Sequence, residues 1–195
     1  MHNPIIFFWF RRDLRLEDNV GLYHALKSGI PVLPLFIFDT DILDKLEDKQ
    51  DKRLVFIHAQ LEKLNTELNK FGSTLIVKIG KPIDIWKKII LDYTIKDVYT
   101  NHDYEPYARE RDKTVLELLH KNKIGFNSYK DQVIFEKDDV IKDDGTPYTV
   151  FTPFMNKWKK TFDVSHLKPL NTKKYLQNFS KINFHPVPDL KKNRI

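Results

Sequence analysis

Ile5-Ile6-Phe7-Phe8-Trp9-Phe10-Arg11-Arg12-Asp13 runs six apolar residues straight into three charged ones. An unbroken apolar run of this length fits a strand buried on both faces at the centre of a parallel sheet, because a half-buried strand would alternate. It falls far short of the roughly 20 residues of a membrane helix and is below the roughly 7–15 of a signal core. No membrane partner, anchor or export signal is therefore expected.

Working outward, Val32–Phe38 repeats the pattern, with Pro34 an awkward strand residue. Residues 75–79, 97–100 and Gly125–Tyr129 bring the expected strands to five. Between them, residues 53–71 set Leu54, Ile57, Leu61, Leu64, Leu68 and Phe71 three or four apart, one stripe of a helix that Gly72 closes. Three more helices are expected: residues 20–28, capped by Asp18 or Asn19; residues 83–92, with Pro82 in the first turn; and residues 107–122, after Pro106. Strands alternating with helices predict an α/β fold, a Rossmann-like three-layer sandwich with a five-stranded parallel sheet.

Past Lys130 the alternation stops. Asp143-Asp144-Gly145 predicts a turn between two short extended runs, and the aromatic stretch 148–158 reads as a hydrophobic clamp folding back on the sheet. From about Ser165 the composition turns polar and proline-containing, which suggests a linker or extended arm whose packing partner need not be in this chain.

The 195 residues, 41% hydrophobic and 31% charged, exclude a disordered or collagen-like chain. Zero cysteines exclude a disulfide scaffold, a thiolate zinc site, an iron–sulfur centre and a cysteine nucleophile; they fit a reducing compartment, by default the cytoplasm. The net charge of +6 suggests nucleic acid, but residues 156–195 hold ten basic and two acidic side chains, so residues 1–155 are slightly acidic. The basic tail has a plainer reading as a solvated linker.

In an open doubly wound sheet, ligands bind beyond the carboxyl ends of the strands, where strand order reverses. Those ends offer Arg11, Arg12 and Asp13; Asp39 and Asp41; Gly80 and Lys81; and Asn101, His102, Asp103 and Glu105. If the first and fourth strands flank the reversal, Arg-Arg-Asp faces Asn-His-Asp. No G-x-G-x-x-G, P-loop or G-x-S-x-G is present, and the seven histidines are scattered, so dinucleotide-fingerprint, hydrolase and metal readings are poor. Arg11, Arg12, Asp13 and Arg15 also read as a charge-paired network, and His102 as a hydrogen-bonded loop residue.

Three segments together resemble the DNA photolyases and cryptochromes. Trp9-Phe10-Arg11-Arg12-Asp13-Leu14-Arg15-Leu16-Glu17-Asp18-Asn19 is similar to that family's N-terminal motif. Residues 101–112 (NHDYEPYARERD) are similar to the run after its fourth strand, and residues 148–158 to the aromatic stretch closing its α/β domain. The resemblance implies that residues 1–160 are an antenna-chromophore domain. It makes 161–195 an interdomain connector to a helical domain, absent here, that binds FAD and damaged DNA. The expected function is that of a light-harvesting domain of a photolyase that repairs pyrimidine dimers. The alternatives are a cryptochrome-type photoreceptor or an unrelated nucleotide- or flavin-binding α/β protein. Carried over, the chromophore pocket comprises Phe10, Arg11, Phe36, Asp39, Arg53, Asn101, Asp103, Glu105 and Arg109, with no catalytic residue and no metal. Folate-binding members carry Asn-Glu where this chain has Tyr107-Ala108. The implied antenna is therefore a deazaflavin or flavin, or the pocket is empty, and folate is disfavoured.

Overall fold

Strands β1 (Ile5–Phe10), β2 (Val32–Phe38), β3 (Ile76–Ile79), β4 (Ile95–Asn101) and β5 (Gly125–Tyr129) form one sheet in a computed structural model that describes residues 3–46 and 51–189. The order is β3-β2-β1-β4-β5, with every neighbouring pair parallel. Helices α1 (Val20–Lys27), α2 (Thr40–Leu43), α3 (Lys52–Asn69), α4 (Pro82–Asp92) and α5 (Pro106–Lys121) lie between the strands, and α6 (Phe151–Thr161) follows them. This is the expected Rossmann-like sandwich, and the order of strands reverses between β1 and β4.

Strand alternation sorts the opening run into two cores. Ile6, Phe8 and Phe10 pack with Leu22 and Leu26 of α1 and Leu61, Leu64 and Leu68 of α3. Phe7 and Trp9 turn to the other face, against Trp86 and Ile89 of α4 and Val115 and Leu119 of α5. The stripe expected in α3 is therefore the buried one. Asn65 also lies on it: its side chain donates to the His185 carbonyl at 2.7 Å and accepts from the Leu75 N–H at 2.7 Å. Pro34 is tolerated because the β2–β3 ladder begins only at Leu35, opposite Ile76.

The region after β5 departs from expectation in three ways. The Asp143-Asp144-Gly145 turn forms, with the Gly145 N–H donating to the Lys142 carbonyl at 3.0 Å, but the flanking runs are not strands. The aromatic stretch does not clamp onto the sheet. It forms α6, which has no buried residue and leaves Phe151 73% exposed, touching the domain through Trp158 against Phe135. The polar arm, by contrast, finds its packing partner in this chain. Phe179 is 2% exposed in the α1–α3 core, and the Ser180 N–H donates to the Val32 carbonyl at 2.8 Å beside a parallel bridge. Tyr175, Leu176 and Val187 pack against the same core, set in a stretch whose many polar residues hide the pattern.

Candidate functional site

The carboxyl ends of β1 and β4 meet in a buried polar knot. Asn19 caps α1, accepting the Leu22 N–H at 3.1 Å, and donates to Asp13 Oδ2 at 3.1 Å. Asn101, the last residue of β4, donates to Asp13 Oδ2 at 2.5 Å and to Asn19 Oδ1 at 2.9 Å. Its own oxygen accepts the Gly21 N–H at 2.8 Å. Gly21 allows this approach, since a Cβ there would lie 2.9 Å from the Thr100 carbonyl oxygen. Arg15 closes the outside, paired with Asp131 at 2.9 Å, and Asp131 also accepts the Val20 N–H. Every donor and acceptor on these three side chains has a protein partner, as buried polar groups require.

Beside the knot, over the ends of β1 and β2, lies a cavity of about 700 Å³. One side is apolar: Phe10 and Phe36 from the strands, Ile42, Leu43 and Leu46 around α2, and Leu54, Phe56 and Ile57 on the first turns of α3. The other is charged. Arg11 pairs with Asp112 and lies 4.2 Å over the Trp9 ring, while Arg111 lies 5.2 Å from the same ring. Arg111 bonds Asp112 at 3.1 Å and lies 3.8–3.9 Å from Asp103 and Asp39. Asp39 caps α2 and accepts the Tyr107 hydroxyl at 2.7 Å; burial and that hydrogen bond push the Tyr107 phenol up. Burial pulls the Arg11 guanidinium below its ordinary value, against the opposing pull of Asp112. Arg53 stands at the rim in an ion pair with Asp51, whose carboxyl those hydrogen bonds lower to about 2.

This wall contains an imbalance. Nε and Nη2 of Arg11 and Nη2 of Arg111 are buried and make no hydrogen bond among the described residues. Both side chains are at least nine-tenths buried, at 6% and 9% exposure. Charged donors in that state cost the chain stability.

Of the nine residues named from the sequence, Phe10, Arg11, Phe36, Asp39, Arg53 and Asp103 line this cavity. Asn101 lies in the knot instead. Glu105 precedes α5 on the surface, 3.3 Å from Arg12, and Arg109 lines a neighbouring cavity. Arg111 and Trp9 line the main cavity and were not among the nine. A signal for Arg111 was available: Ala108, Val115 and Leu119 are the buried stripe of α5, and helical spacing sets Arg111 and Asp112 on that stripe, with Arg109 off it. His102 is the hydrogen-bonded loop residue expected, 2.7 Å from Glu136 and 3.1 Å from Ser128.

Comparisons with known proteins agree with this geometry. The family model for DNA photolyase matches residues 6–174. A deoxyribodipyrimidine photo-lyase of Synechococcus sp. (strain ATCC 27144) is 33% identical over 159 residues, 82% of this chain and 32% of that protein. A bacterial class III photolyase from Agrobacterium tumefaciens superposes with a TM-score of 0.81 at 26% identity, covering 100% of this chain and 39% of that one. An archaeal photolyase from Sulfolobus tokodaii, solved with two FAD molecules and described as implying a novel light-harvesting cofactor, gives 0.70 at 27% identity, over 93% and 42%. Cryptochromes of Arabidopsis thaliana match as well. The chain thus spans about a third of the length of the photo-lyases it matches. No described helix is long and apolar enough to cross a membrane.

Proposed function

Since the chain belongs to the DNA photolyase family, we propose that it is an antenna domain, holding a light-harvesting chromophore in the cavity over β1 and β2. The observation that carries this reading is the set of guanidinium donors of Arg11 and Arg111 left without a hydrogen bond in the charged wall that faces the apolar side of the slot. Each unmet buried donor costs about 1–3 kcal/mol, and the carbonyls or ring nitrogens of a planar heterocycle would relieve that cost. Phe10, Arg11, Phe36, Asp39, Arg53 and Asp103 form the site with Trp9 and Arg111. Asn101 acts on it by positioning the strand ends, and Glu105 and Arg109 stand outside the slot.

The ring we assign is a flavin or deazaflavin rather than a folate. Tyr107, at the position where folate binders resemble one another, here ties α5 to Asp39. The Sulfolobus relative, solved with two FAD molecules and described as implying a novel light-harvesting cofactor, supports the same choice. When bound, the chromophore supplies light absorption and passes its excitation on. The chain's own residues bind, orient and exclude water: Arg11 and Arg111 donate to the ring's acceptor edge, and Phe36, Leu54 and Phe56 cover its face. None moves a proton or forms a bond to the ligand, so none is a catalytic residue.

We place residues 1–160 in this domain and 161–195 in a connector that packs back on it, with Phe179 filling the α1–α3 core. The receiver is a helical FAD-binding domain that engages damaged DNA and reverses pyrimidine dimers with light. The exposed Phe151 and Phe154 of α6 suit contact with such a domain. The Arabidopsis relatives favour a second reading, the same module in a cryptochrome-type photoreceptor. Light-dependent dimer reversal by the protein joined to its helical half separates the two. For the domain itself, the test is titration with riboflavin, a 5-deazaflavin and a reduced folate, followed by ligand fluorescence. Saturable binding of riboflavin or the deazaflavin is expected. Binding of the folate alone would overturn the ring assignment, and binding of none would sink the antenna reading.

A further inference from the structure

At the β4/β5 end of the sheet a second cavity, of about 640 Å³, holds a group of side chains that the chromophore reading leaves unused. Ser128 from β5, His102 just past β4 and Glu136 from the loop after β5 line it together. Ser128 Oγ lies 3.1 Å from His102 Nε2, and His102 Nδ1 lies 2.7 Å from Glu136 Oε2. A hydroxyl, an imidazole and a carboxylate thus stand in line, with each ring nitrogen facing one partner.

The protein fixes the protons along that line. Burial pushes the Glu136 carboxyl up, but hydrogen bonds from His102 and Tyr104 outweigh it and hold the group below its ordinary value. It is therefore an anion at neutral pH and can only accept. A neutral His102 then carries its proton on Nδ1 and leaves Nε2 to accept the Ser128 O–H. The ring is also held from behind: the His102 N–H donates to the Tyr129 carbonyl at 2.7 Å, and the His102 carbonyl accepts from the Gln132 amide at 3.1 Å. Glu136 has only 14% of its side chain exposed, whereas Ser128 is exposed. The carboxylate end of the relay is fixed and the hydroxyl end is open to a reactant, the order that an activated nucleophile requires.

We propose that Ser128, His102 and Glu136 form a hydrolytic site that cleaves small carboxylic esters, independently of any chromophore in the main cavity. Ser128 Oγ bonds to the ester carbonyl carbon as His102 Nε2 takes its proton. The tetrahedral centre collapses, its bond to the alkoxy oxygen breaks, and the alcohol leaves with that proton from His102. Water attacks the acylated Ser128 while His102 takes a proton from it, and His102 returns that proton to Ser128 Oγ as the carboxylic acid departs. Glu136 is a positioning residue, which sets the tautomer and steadies the imidazolium. Arg109 lines the same cavity and supplies a cation for the developing oxyanion, and the rings of Tyr104 and Phe135 give the acyl chain an apolar wall.

The experiment uses the full chain and p-nitrophenyl butyrate, with p-nitrophenol release followed by absorbance and the acylated residue located by mass spectrometry. Saturable turnover with the butyryl group on Ser128 is expected. Ser128→Ala and His102→Gln should each lower kcat/KM by about a hundredfold or more, with urea midpoints near the parent's showing that both fold. Glu136→Gln should lower kcat about tenfold while KM stays within about twofold, a split that a merely loosened loop would not give. No turnover above buffer, or acylation that falls on lysines and persists in Ser128→Ala, would overturn the site. If His102→Gln unfolds the chain, Ser128→Cys decides, because the sequence has no other cysteine. Its alkylation by iodoacetamide should run about tenfold faster than that of N-acetylcysteine at the same pH, and equal rates would overturn the proposal. Riboflavin enters none of these readouts, so the antenna reading stands or falls separately.

Discussion

The knot at β1/β4 and the cavity over β1/β2 draw on the same short stretches of sequence and put them to opposite uses. Asp13, Asn19 and Asn101 meet with every donor and acceptor matched inside the chain. Arg11, two residues before Asp13, is as deeply buried, yet two of its nitrogens and one of Arg111 make no hydrogen bond among the described residues. Charged and amide residues at strand ends are ambiguous in the sequence, since either a scaffold or a site can use them. What separates the two is whether the protein alone completes the hydrogen bonds. A completed set holds shape, and an incomplete one is held ready for a partner at some cost in stability.

That contrast can be broken at several points. The largest effect is expected on the scaffold side, at the arm: Phe179→Ala removes a ring that fills the α1–α3 core and should cost about 4 kcal/mol in urea unfolding. A loss under about 1 kcal/mol would mean that the arm merely rests on the domain. Next, Asn101→Leu strips three hydrogen bonds from the knot and leaves the Gly21 N–H and an Asp13 oxygen short, for about 3 kcal/mol. Riboflavin affinity of the folded fraction should hold; if it collapsed while stability did not, the knot would belong to the site. On the cavity side the pattern reverses. Arg111→Lys keeps a cation near Asp39, Asp103 and Asp112 but discards the planar fork, so stability should move by no more than about 1 kcal/mol while riboflavin weakens about tenfold.

Much of this architecture was legible in the sequence, because it follows from local periodicity. All five strands stand where the apolar runs put them, and the four long helices begin and end within a residue or two of their caps. The four-residue α2 has no period to read, so Asp39, named as a strand-end pocket residue, gave no sign that it also caps a helix. The arm was opaque for a different reason. Tyr175, Leu176 and Phe179 make too short a group among polar residues to read as a buried stripe, and only the gap between α1 and α3 gives them a reason to be buried. The site divided likewise. Placing residues at strand ends offered Arg11, Arg12, Asp39 and Asp103, and the family resemblance added Phe10, Phe36 and Arg53, but neither could tell Asn101, which turns toward α1, from Asp103, which turns toward the cavity. Arg109 and Arg111 are one turn of reasoning apart: the motif supplies both, and only the buried stripe of α5 separates them.

Glu136 tests the contrast at its smallest scale, because it is fully partnered and still lines a cavity. Burial pushes its carboxyl up, but hydrogen bonds from His102 and Tyr104 outweigh that and hold it below its ordinary 4.5. A depressed folded value means that the stability it contributes is present above the unfolded value and is lost as the pH falls through the folded one. Unfolding free energy measured from pH 6 down to about pH 3 should therefore decline more steeply in the native chain than in Glu136→Gln, by on the order of 1 kcal/mol across that window. An acid limb unaltered by the substitution would mean that satisfaction within the chain does not suffice to mark a residue as scaffold.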